Sequence, residues 1–89
     1  MNVVHERLEP RTVLPCVSHA RTTEWVFCVK GSMVGVVDGR THRLRAGSIL
    51  LMPPGTRHRF ITGRGSCEAI SIFSPALALG QGSDIRASD

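Results

Sequence analysis

Glycine, proline, Asp-Gly and Ser-Pro signals break this chain about every eight to twelve residues, which leaves room for many short strands and almost none for helices. Glu24 to Gly31, "EWVFCVKG", carries β-branched and aromatic residues on both faces and reads as a strand. In "SMVGVVDGRTHRLR" the Asp38-Gly39 pair sits between two extended runs, the strongest short-range signal for a hairpin. "GSILLMP" is a further strand, closed by the turn Pro53-Pro54-Gly55. "RHRFIT" alternates polar and apolar residues, "GRG" turns the chain, and "CEAISIF" is a last strand ended by Ser74-Pro75. Ahead of these, Pro10 and Pro15 cut the first sixteen residues into one or two edge strands, because proline donates nothing to a central ladder. After them, residues 76–89 are expected to begin with one helical turn and then to fray. The fold class is all-β, a sandwich or small barrel of seven or eight strands.

With 89 residues, the chain is expected to form a single domain over 1–89. A domain this small buries only about 60–65% of its unfolded surface, so its core is thin and self-association would help it. A hydrophobic content of 42% excludes a disordered chain. The formal charge is +4, and every basic residue except Lys30 is arginine. Those arginines are scattered from Arg7 to Arg86 with no basic helix or aromatic platform among them, so they read as a solvated surface, and no nucleic-acid partner is expected. No apolar stretch approaches the roughly 20 residues of a membrane span, and no charged start leads into a signal-like segment. Cys16, Cys28 and Cys67 form neither a CxxC pair nor an even framework, which fits free thiols in the cytoplasm.

Alternation along strands sets which side chains meet. His58, Phe60 and Thr62 share one face; Glu24, Val26 and Cys28 share another; Val17 and His19 share a third. If the three strands adjoin with those faces inward, His19, Glu24 and His58 converge. Two neutral imidazoles and a carboxylate can hold a divalent metal and leave coordination positions open.

The chain also resembles the cupin family, whose first motif runs G-x5-H-x-H, three or four residues, then E-x6-G. "HARTTEWVFCVKG" supplies His19, Glu24 and Gly31 at that spacing. The second motif, G-x5-P-x-G-x2-H-x3-N, is matched by Gly47, Pro53, Gly55 and His58 in "GSILLMPPGTRHRFIT". The core of the resemblance covers 17–62. It implies a double-stranded β-helix, a jelly-roll-like barrel, in which the Pro-x-Gly turn delivers the last histidine to the barrel mouth. It implies His19, Glu24 and His58 as ligands of iron, manganese, nickel or zinc. Three positions depart from it: the leading glycine falls on Arg11, the first histidine on Val17, and the final asparagine on Thr62. The family's fourth protein ligand is therefore missing, and Cys16 could replace it only through a local bulge against strand parity.

Around the three ligands, Val17, Val26, Cys28, Met52, Phe60 and Thr62 are the expected pocket residues. Arg21 is a candidate contact for an anionic ligand, with Arg57 and Arg64 also placed near the mouth. Glu24 needs a cation of some kind, since burying a lone carboxylate costs several kcal/mol. His5 and His42 lie outside the motifs and read as surface residues. If Glu24 points inward, Trp25, Phe27 and Val29 point out, and such a stripe is best covered by a second copy about a two-fold axis. The expected function is binding of a divalent metal and a small polar or acidic organic ligand, with dioxygenase, isomerase or lyase chemistry. The alternative is a non-catalytic ligand-binding or sensor module whose metal site has decayed, which Val17 favours.

Overall fold

The computed structural model describes residues 1–75 and the backbone of residues 85–87. Its strands are β1 (Asn2–Leu8), β2 (Val17–His19), β3 (Thr23–Val37), β4 (Arg40–Arg45), β5 (Ile49–Met52), β6 (His58–Ile61), β7 (Cys67–Ser74) and β8 (Ile85–Ala87). All their pairings are antiparallel, and no helix occurs among the described residues. One layer runs β1-β7-β3-β5 and the other β4-β3-β6-β2-β8, so β3 belongs to both. The result is a curled all-β barrel of the double-stranded β-helix type.

The sequence separates the run ending at Gly31 from the run beginning at Ser32, yet the structure makes them one 15-residue strand. A bulge explains how. Cys28 pairs with Ala69 and Lys30 with Glu68, so Val29 is the extra residue that bends β3 from one layer into the other. The bulge also reverses parity. Glu24, Val26 and Cys28 are buried before it, Met33 and Gly35 after it. Gly31 follows at φ 80°, and a Cβ there would collide with the Ser66 carbonyl oxygen; only glycine fits. The motif glycine is thus a requirement of the bend.

Asp38 and Gly39, with φ of 48° and 81°, form the two-residue loop between paired Val37 and Arg40, as the Asp-Gly signal requires. The first strand is an edge strand, pairing with β7 from Asn2↔Phe73 to Leu8↔Cys67. The helical turn expected after Pro75 falls outside the described residues. The ending expected to fray supplies β8, which pairs with β2 through Val17↔Ala87, Ser18↔Arg86 and His19↔Ile85.

The core consists of Leu8, Val26, Cys28, Met33, Leu44, Met52, Phe60, Cys67 and Ala69. All three cysteines are free. Cys28 and Cys67 lie with their sulfurs 3.6 Å apart in this core, a pairing that nothing in the sequence signals. Burial, then the Cys28 thiol, pushes the Cys67 thiol up to about 12, so it stays protonated and fills the core as a small apolar side chain.

Candidate metal centre

His19 and His58 come from neighbouring strands, for β2 pairs with β6 through Val17↔His58. The strands adjoin as face-matching expected, for β3 pairs with β6 from Val34↔Ile61 to Val37↔His58, but it does so with its second half, whereas Glu24 lies in its first half. Glu24 therefore sits in the other layer, between Phe73 and Met52, and meets the histidines across the barrel interior. All three side chains are buried, and one ligand atom from each lies within 4.8 Å of the others.

Glu24 Oε1 is 3.1 Å from His19 Nε2 and 3.2 Å from His58 Nε2. The outer edge of each ring is placed separately. His58 Nδ1 donates to the Thr56 carbonyl oxygen at 3.1 Å, which turns Nε2 toward Glu24. Phe73 meets the His19 ring edge-on at 5.6 Å. The Pro53-Pro54-Gly55 turn is what sets His58: Gly55 N–H donates to the His19 carbonyl at 2.7 Å and Thr56 N–H to that of Pro53 at 3.2 Å. That turn ties β2 to the segment entering β6 and aims the Thr56 carbonyl at the ring.

These contacts fix a proton count. With Nδ1 donating to Thr56, a His58 that also donates from Nε2 to Glu24 is an imidazolium. Burial opposes that charge, but the hydrogen bond and charge of Glu24, the Thr56 carbonyl and Asp38 outweigh it, and the His58 pKa lies above its usual 6.5. A divalent cation does the same electrostatic work as that proton. A metal about 2.0–2.1 Å from each ligand atom spaces neighbouring donors about 3.0–3.4 Å apart, which matches both Glu24 contacts. The donor set fits a metal, with His19 Nε2, His58 Nε2 and Glu24 Oε1 as ligands. His19 Nδ1 is buried with no hydrogen-bond partner among the described residues.

The three residues sit in the wall of a cavity of about 300 Å³. Of the pocket residues expected from sequence, Val17, Val26 and Phe60 line it. Cys28, Met52 and Thr62 do not. Cys28 and Met52 are consumed in the core. The Thr62 hydroxyl donates to the Glu9 carbonyl and accepts from Thr12 N–H, fastening the loop after β1. Arg21 is exposed in the connection between β2 and β3 and is not among the residues lining the cavity; the arginine that lines it is Arg59. Arg57 instead lines a separate cavity that includes Cys16, so Cys16 does not replace the missing ligand. His5 and His42 are exposed, His5 lying 3.4 Å from Glu68. Sequence reasoning missed Glu6, Ser71 and Phe73 in the wall. Alternation marks Glu6 with Leu8 and Ser71 with Phe73, but the pairing of β1 with β7 that carries the first pair to the cavity is not local information.

A curled antiparallel barrel with two histidines and a glutamate converging inside it defines a small β-barrel protein with a candidate metal site. The profile of the cupin domain matches residues 4–73, and the chain belongs to that family. None of the curated proteins matches it. Among solved structures it is similar to KdgF from Halomonas sp., with TM-score 0.79, 23% identity, and coverage of 83% of this chain and 67% of that one. A sugar phosphate isomerase of the cupin superfamily from Silicibacter pomeroyi gives TM-score 0.75 and 23% identity over 83% of this chain and 50% of that one. Salicylate 1,2-dioxygenase from Pseudaminobacter salicylatoxidans gives TM-score 0.76 and 25% identity over 80% of this chain and 21% of that one. The chain thus spans about a fifth of the dioxygenase and half of the isomerase. Among the described residues no helix is long and apolar enough to cross a membrane.

Proposed function

We propose that this chain binds a divalent metal through His19, Glu24 and His58 and a small organic ligand in the adjoining cavity, as a metal-dependent dioxygenase, isomerase or lyase. The observation that carries this reading is the convergence of the three buried ligand atoms, with His58 held in a ligating orientation by Thr56. A bound metal would supply Lewis acidity to an oxygen-bearing ligand. The chain's own residues provide three anchoring atoms, a mostly apolar wall, and room for one small molecule. The likeness to an isomerase and a dioxygenase supports chemistry of that breadth without choosing within it. Val17 in the position of a family histidine supports the second reading, a non-catalytic ligand-binding module.

Metal analysis of protein purified without a nickel column tests the first reading. One iron, manganese, nickel or zinc per chain, lost in His58→Ala, is the expected result. No metal after supplementation with each of the four favours the second.

We also propose that two copies pair through the outer face of β3. Phe27 and Val29 are exposed there, Trp25 is half-buried, and the register sets Trp25 beside Leu51 and Phe27 beside Ile49, both exposed. A two-fold axis lets one such band cover its own copy.

A further inference from the structure

Glu6 reaches the cavity from β1, the strand at the far edge of the layer that holds Glu24. Its neighbours His5 and Arg7 alternate outward and pair with Glu68 and Glu9, whereas Glu6 has no ion-pair or hydrogen-bond partner among the described residues. In register, Glu6 lies beside Ala69 and Ala69 beside Cys28, two inward positions along β3 from Glu24. The cavity therefore has two polar places. One is the buried His19–Glu24–His58 cluster. The other is a half-buried carboxylate displaced along the sheet, with hydrocarbon from Val26 and Val4 and the hydroxyl-bearing Ser71 between them.

We propose that Glu6 is a specificity-determining residue that accepts a hydrogen bond from a hydroxyl or amino group at the end of the ligand remote from His19, Glu24 and His58. The ligand class is then a small molecule with an oxygen-donor head, a short apolar body and a hydroxyl or ammonium tail. This inference rests on the metal-site reading above and narrows its ligand. Burial raises the Glu6 pKa above 4.5, and the negative charge of Glu24 raises it further. A donor or cation presented to Glu6 relieves both effects, and a second carboxylate aggravates them. Among the residues lining the cavity the one arginine is Arg59, from β6, the strand of His58, and no cationic side chain lines it from β1 or β7 beside Glu6, so an acidic tail finds no partner there. Diacids are selected against even though the surface of the chain is basic.

The test is a binding series on the zinc-loaded full chain by calorimetry. Unsubstituted, ω-hydroxy, ω-amino and ω-carboxy straight-chain acids of three to six carbons are compared on the unaltered protein, Glu6→Gln and Glu6→Ala, with zinc content measured in each. At the best chain length the hydroxy and amino acids are expected to bind about tenfold tighter than the unsubstituted acid, and the diacid weakest. Glu6→Ala is expected to abolish the ranking. Glu6→Gln is expected to retain the hydroxyl preference and lose the ammonium preference, with zinc content unchanged in both variants. Equal affinities on zinc-loaded protein, or the same ranking in Glu6→Ala, overturn this inference alone. If the chain refuses zinc, the same series is run on its iron, manganese or nickel form; refusal of all four overturns the metal-site reading and this inference with it.

Discussion

Replacing Glu24 by glutamine changes one atom of the cluster and removes its only negative charge. In the unaltered protein, metal at a free concentration 100 times its Kd stabilises the folded state by about 2.7 kcal/mol. A domain of this size moves by about 4–8 °C per kcal/mol, so the expected rise in Tm is about 11–22 °C. An affinity loss of about 100-fold in Glu24→Gln brings the same metal concentration to about its Kd, leaving about 0.4 kcal/mol, a rise of about 2–3 °C. The pH dependence gives a second readout with opposite signs in the two states. His58 has a folded pKa raised above 6.5. In metal-free protein its contribution to stability is fully present below that unfolded value and is lost as pH rises through the folded value. Metal competes with the same proton, so the metal-induced increment grows over the same interval, by about tenfold in affinity per pH unit, and then levels off. Differential scanning fluorimetry with zinc or manganese at several pH values measures all of this. A metal-induced rise that is equal in Glu24→Gln, or that shrinks as pH increases, would refute the reasoning.

Three further outcomes follow from particular residues. Val17→His restores an inward imidazole beside His58, and metal affinity is expected to rise by about tenfold or more, about 1.4 kcal/mol, read by competition with a chelator; no change would mean that position 17 cannot reach the cation. Gly31→Ala meets the Ser66 carbonyl at a positive φ, and chemical denaturation is expected to show a loss of about 2 kcal/mol or more; a neutral result would contradict the bulge. Phe27→Asp places a charge on the exposed band of β3 and is expected to shift a dimer to monomer in light scattering at micromolar concentration, with metal content unchanged; an unaltered protein that is already monomeric refutes the pairing.

What was readable without coordinates was local. Turn chemistry announced itself residue by residue: Asp38-Gly39 closes its hairpin and Pro53-Pro54-Gly55 precedes the histidine it positions, because φ restrictions at these residues act whatever the surroundings. Period-two alternation named the inward faces of β3 and β6 and with them Glu24 and His58. The same alternation placed His19 with Val17, and motif spacing added the family.

Tertiary structure decided what depends on which strands become neighbours. It fused two apparent strands into β3, since a bulge at Val29 is defined only against a partner, β7. It brought Glu24 to the histidines from the opposite layer, moved Cys28, Met52 and Thr62 out of the cavity wall, and moved Glu6 into it. Strand pairing is a long-range choice made by burial of whole faces, and a side chain's own parity says which face it joins but never which other residues that face will meet.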